Sequence, residues 1–128
     1  MKIEHLAIWV TDLEAVKNFY RKYFRAEAGE KYINPVKKFE SYFLVFDEGT
    51  RLELMHMPEI PPRDTQYREM LGLTHIAMSV GSKEKVDTLT ELLRHDGFKI
   101  IGEPRTTGDG YYESIVLDPE GNRVEITI

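Results

Sequence analysis

His5-Leu6-Ala7-Ile8-Trp9-Val10 returns seventy positions later as His75-Ile76-Ala77-Met78-Ser79-Val80. Outward from that repeat, Arg51-Leu52-Glu53-Leu54 returns seventy-two positions later as Arg123-Val124-Glu125-Ile126. Each half therefore opens on a histidine and closes on a glutamate, and a shared period of this kind marks an internally duplicated architecture. The turn Asp118-Pro119-Glu120-Gly121-Asn122 is one residue longer than Asp47-Glu48-Gly49-Thr50, and the change of offset is accordingly expected there.

The same programme of elements is expected in each half. Ile3 to Val10 alternates as a strand, with His5, Ala7 and Trp9 on one face and Leu6, Ile8 and Val10 on the other. Thr11-Asp12-Leu13-Glu14 has a capping-box pattern, and Leu13, Val16, Phe19, Tyr20 and Tyr23 follow at helical spacing. Tyr42 to Phe46 and Arg51 to Met57 read as strands, with a further short strand between Tyr32 and Ser41. In the second half, Thr74 to Val80 is a strand. Ser82 caps a helix whose stripe is Val86, Leu89, Leu92 and Leu93, and Gly97 stops it. Phe98 to Ile101, Tyr111 to Leu117 and Arg123 to Ile128 complete the pattern. The expected organisation is a single domain over 1–128, with a first module (1–57), a proline-bearing linker (58–72) and a second module (73–128).

Composition removes several function classes. A chain of 128 residues with 41% hydrophobic side chains can bury one core, whereas either half alone is small for that task. Net charge is −5, and Lys and Arg are scattered among Asp and Glu, so a nucleic-acid surface is not expected. There is no cysteine, which excludes disulfides, thiolate metal sites and a nucleophilic thiol. Neither an N-terminal signal segment nor a membrane-spanning apolar run is legible, and a cytoplasmic protein is expected.

Period-two geometry then gathers the chemistry. Glu53 shares a face with Arg51, Met55 and Met57, while Leu52 and Leu54 point to the helix side. By the same alternation His5, His75 and Glu125 also lie on the sheet surface that no helix covers. A single strand histidine or glutamate is more often solvated than a ligand, but four at matched positions form a coherent donor set. Two imidazoles and two carboxylates suit a borderline divalent cation such as zinc, nickel, iron, cobalt or manganese. His56 falls on the opposite face and His95 near a helix end, so both are expected to be structural or exposed.

These residues resemble the vicinal oxygen chelate superfamily over essentially the whole chain. The resemblance rests on the paired modules, the His-x-Ala strand openings and the Arg-x-Glu strand endings. It implies an α+β fold in which two βαβββ modules form a curved sheet cup around a divalent metal, nickel or zinc foremost. Within the superfamily the order His, Glu, His, Glu is similar to glyoxalase, lactoylglutathione lyase, whose four ligands carry over onto His5, Glu53, His75 and Glu125. Methylmalonyl-CoA epimerases usually have Gln at the place of Glu53, and extradiol dioxygenases and fosfomycin-modifying enzymes use two histidines and one glutamate.

The implied chemistry is a lyase or isomerase reaction through a metal-stabilised enediolate, with Glu53 or Glu125 as the base and a 1,2-proton shift as the outcome. Its substrate is a 2-oxoaldehyde–thiol adduct or another vicinal-oxygen compound. At Trp9 and Met57 this chain departs from bacterial glyoxalases, which commonly carry arginine and asparagine there. With Met55 these residues instead give the cup an apolar wall. Arg51 and Arg123 share the face of the glutamates and are candidates to meet an anionic substrate group. The alternatives are a metal-free, drug-sequestering protein of the bleomycin-resistance type and a fosfomycin-type thiol transferase. The resemblance also implies a homodimer, with the metal site either within one chain or shared between two.

Overall fold

The alternation read in the sequence is realised as strand β1 (His5–Trp9), where His5, Ala7 and Trp9 are exposed and Leu6 and Ile8 half-buried. The computed structural model describes residues 1–62, 69 and 71–128. The chain divides into two compact units, Met1–Asp64 and Thr65–Ile128. Of the linker expected over 58–72, residues 63–68 and 70 lie outside the described residues.

In the first unit β1 is followed by α1 (Leu13–Phe24), β2 (Glu27–Ala28), β3 (Tyr32–Asn34), β4 (Phe39–Val45) and β5 (Arg51–His56). Asp12 is the N-cap of α1, its carboxylate accepting a hydrogen bond from Ala15 N at 2.9 Å. The cap thus sits one residue later than the capping box from Thr11 to Glu14 requires, and the Glu14 side chain turns to Lys17 and Tyr42 instead. Leu13, Val16, Phe19, Tyr20, Tyr23 and Phe24 are buried and α1 packs on β4 and β5, whose Leu44, Leu52 and Leu54 are buried as well. Each such fully buried side chain contributes about 1.5–3 kcal/mol relative to exposure. The strand order is β1-β5-β4-β2, with β3 also on β4. One strand of the expected βαβββ pattern is therefore split into β2 and β3, both antiparallel to β4.

The second unit runs β6 (Ile76–Ser79), α2 (Lys83–His95), β7 (Ile100–Thr106), β8 (Tyr112–Leu117) and β9 (Arg123–Thr127), in sheet order β6-β9-β8-β7. Ser82 caps α2 through Lys85 N, and Gly97, at φ 89°, ends it. The buried stripe is Val86, Thr90 and Leu93, and Leu92 is 46% exposed, which corrects its expected place in the core. Thr90 takes that place because its hydroxyl is satisfied: it donates to Val86 O at 2.6 Å and shares a 2.7 Å hydrogen bond with Ser114.

Register corrects the origin of the two-residue offset. Val16 and Val86 both face the core seventy positions apart, but Phe43 pairs with Glu53 as Ile115 pairs with Glu125, already seventy-two apart. Leu44 and Leu52 pair across one hairpin and Val116 and Val124 across the other, both over eight positions. The extra residues therefore enter between the helix and the last hairpin, where β7 replaces the split β2 and β3. The fold is α+β, with a mixed sheet and one long helix in each unit. Among the described residues no helix is long and apolar enough to cross a membrane.

Candidate metal centre

The parallel pairing of β1 with β5 decides which polar side chains meet in the first unit. Ala7 lies opposite Glu53 and His5 opposite Arg51, on the sheet face away from α1. That register brings His5 Nε2 to 3.8 Å from Glu53 Oε2. In the second unit β6 pairs with β9 in the same way, Ala77 opposite Glu125, and His75 precedes β6 by one residue. His75 Nε2 stands 3.5 Å from Glu125 Oε2. The structure thus brings together His5 with Glu53, and His75 with Glu125, each pair within its own unit. Among the described residues no group of three or more metal-donor side chains is gathered.

The donor chemistry fits a divalent cation. Two ligands each about 2.1 Å from one tetrahedral ion stand roughly 3.4 Å apart. The observed separations of 3.5 and 3.8 Å lie within a few tenths of an ångström of that value, which side-chain rotation supplies. Both glutamate side chains are largely covered, and both histidines are substantially exposed.

The surroundings of the two pairs differ. In the first, Glu4 Oε2 is 2.5 Å from His5 Nδ1, and Arg51 donates to the other Glu4 oxygen. The hydrogen bond from His5 and the Arg51 guanidinium hold the Glu4 carboxyl below the usual carboxylate range. In the second, Glu113 is buried on β8 beside Glu125 and accepts a hydrogen bond from Arg105 at 3.2 Å. Burial, then the neighbouring Glu113 charge, push the Glu125 carboxyl above the usual range against the opposing pull of His75. Glu113 escaped the sequence reading. Its signal was available: Ile115 pairs with Glu125, and two residues back along β8 is the same face.

Trp9 pairs with Met55 across β1 and β5 and meets Phe39 edge-on at 6.1 Å, and Tyr32 lies against Phe39 at 6.0 Å. Trp9 is 43% exposed, so this apolar stretch beside the donor pair is open to solvent. Met57 follows β5 directly and is half-buried. Arg51 stacks over Phe43 at 4.2 Å besides its contact with Glu4, and Arg123 pairs with Glu69 at 3.0 Å. His56 Nδ1 contacts Val10 O at 3.0 Å and His95 pairs with Asp96, so neither belongs to the donor set.

The chain as a whole is similar to known proteins. The family model Glyoxalase/Bleomycin resistance protein/Dioxygenase superfamily matches residues 2–126. The chain is 29% identical to an uncharacterised protein of Bacillus subtilis, YqjT, over 97% of this chain and 96% of that one. Among solved structures it is similar to a glyoxalase family protein from Enterococcus faecalis, with 27% identity, a TM-score of 0.80, and 99% and 97% of the two chains covered. The trypanothione-dependent glyoxalase I of Leishmania major is similar at 25% identity and a TM-score of 0.78, over 99% of this chain and 86% of that one.

Proposed function

The chain belongs to the Glyoxalase/Bleomycin resistance protein/Dioxygenase superfamily, and within it we propose a metal-dependent isomerase of the lactoylglutathione lyase type. The observation that carries this reading is the repetition of one His–Glu pair, at 3.8 and 3.5 Å, on the helix-free face of each unit's sheet. In this proposal His5, Glu53, His75 and Glu125 hold one divalent cation, nickel or zinc foremost, with the two pairs contributed by one chain or by two chains of a cytoplasmic homodimer.

When bound, the cation supplies Lewis acidity that stabilises negative charge on a substrate oxygen next to the carbon that loses its proton. The protein's residues do the rest. Glu53 or Glu125 takes the proton onto a carboxylate oxygen, and a carboxylate returns it to the adjacent carbon. With the hydroxyl proton passing to the neighbouring oxygen as well, a hemithioacetal of a 2-oxoaldehyde thereby becomes a 2-hydroxyacyl thioester, with no atom gained or lost. Trp9, Met55 and Met57 are assigned to the apolar part of the substrate, and Arg51 and Arg123 to the polar rim.

The test is conversion of 2-oxoaldehyde–thiol adducts, followed by NMR, with metal-loaded protein, chelated protein and the Glu53→Gln and Glu125→Gln variants. Turnover that requires metal and is lost in both variants supports the reading, and full turnover in both variants contradicts it. The exposed Trp9 and Tyr32 side chains, both packed on half-buried Phe39, favour one second reading, a ligand-sequestering protein of the bleomycin-resistance type. Ligand binding without metal and without turnover would select it.

A further inference from the structure

His5 sits in a closed ring of contacts that its counterpart cannot have. Glu4 Oε2 meets His5 Nδ1 at 2.5 Å, Arg51 donates to Glu4 Oε1, and the Arg51 guanidinium lies 4.2 Å over the Phe43 ring. Phe43 in turn meets the His5 ring edge-on, at 5.4 Å and 86°. Seventy positions after Glu4 stands Thr74, and Ile115 occupies the strand position that matches Phe43. Neither the carboxylate nor the aromatic ring is repeated in the second unit, although Arg123 repeats Arg51.

We propose that Glu4, held by Arg51 and backed by Phe43, is a positioning residue that keeps the proton of neutral His5 on Nδ1 and leaves the Nε2 lone pair directed toward Glu53. An ionised carboxylate only accepts hydrogen bonds, so the nitrogen that touches Glu4 must be the one that carries hydrogen. Fixing one ring nitrogen in this way sets the tautomer, and the ring contact with Phe43 limits rotation about the side chain. An exposed ion pair alone holds a side chain weakly, because water screens it and both partners lose rotamer freedom. Here four side chains close on one another, and each contact restricts the next. The two halves of the donor set are therefore unequal: His5 is oriented before any ligand arrives, and His75 lacks the carboxylate that would do the same from the matched position.

The consequence for metal binding rests on the proposed function; the tautomer does not. The chain has four histidines, so two-bond nitrogen–proton correlation spectra of the full metal-free chain resolve each ring, with His5→Gln as the assignment control. At a pH where imidazole is neutral, His5 is expected as the Nδ1–H form. Glu4→Ala should release it toward the Nε2–H form that free histidine prefers, Glu4→Asp should restore part of the effect, and Arg51→Met should move it the same way as Glu4→Ala. Affinity for zinc or nickel, measured against a chromophoric chelator, should fall about 10–100-fold in Glu4→Ala. An Nε2–H tautomer in the wild-type chain, or a tautomer unchanged in folded Glu4→Ala, overturns the proposal. If wild-type protein takes up no metal, the proposed function fails, and the tautomer of the metal-free chain still decides this inference.

Discussion

Glu113 and Glu125, two carboxyl groups on the adjacent strands β8 and β9, lie diagonally opposite each other on the sheet face away from α2, where Arg105 reaches Glu113 at 3.2 Å. Burial and the Glu113 charge raise the Glu125 pKa, so the folded state holds this proton more tightly than the unfolded chain does. The associated stability is fully present below the unfolded value of 4.5 and is lost as pH rises through the folded one. Glu125→Gln in metal-free protein should therefore match wild type near pH 4 and be the more stable form at neutral pH. Urea unfolding of both proteins across that range checks the sign; a less stable variant at neutral pH would refute it.

The second prediction concerns the hydroxyl pair that replaces Leu92 in the core of the second unit. Thr90→Val keeps the shape of the side chain but removes a partner from the buried Ser114 hydroxyl, and should cost about 1–3 kcal/mol. Ser114→Ala added to it removes the stranded group, so the double variant should recover much of the loss. Chemical denaturation of the single and double variants gives the coupling directly, and strict additivity would contradict it.

Acid should uncouple α1 from the sheet of the first unit. Hydrogen bonds from Lys17 first, and then Tyr42, lower the Glu14 carboxyl to about 2. A depressed carboxyl contributes stability that is present above its unfolded value of 4.5 and is lost as pH falls through about 2. Glu14 is half-exposed, so solvent screening limits the effect to at most about 1 kcal/mol. The gap between wild type and Glu14→Gln should be constant from pH 7 to about 5 and shrink progressively toward pH 2. A gap that widens in acid would contradict this assignment.

How much of this was legible in the sequence follows from which contacts are local. The duplicated alternation of His5 to Val10 and His75 to Val80 gave the strands and their faces, and helical spacing gave the buried stripe of α1, because both are periods of the backbone itself. Leu92 was misplaced because hydropathy ranks leucine above threonine, whereas helix phase places Thr90 between Val86 and Leu93 and Ser114 satisfies its hydroxyl. Glu113 shares the period-two face of Ile115, but its pairing with Arg105 is not local, because Arg105 arrives across register shifts in β7, next to Gly102. A Cβ at Gly102 would stand 3.0 Å from the Arg105 guanidinium and 3.2 Å from Ile115, a close approach that a period of two does not announce. The ring around His5 likewise joins Glu4 to Arg51 and Phe43, residues brought together only by the pairing of β1, β5 and β4.

The most direct measurement of the proposed centre is bound divalent metal per chain, by elemental analysis of untagged protein purified without chelator, alongside Glu53→Gln and Glu125→Gln. Near-stoichiometric nickel or zinc in the wild-type chain, falling in both variants, is the predicted result. No bound metal after supplementation with nickel, zinc, cobalt and manganese, or uptake unchanged in both variants, would contradict the four-ligand account.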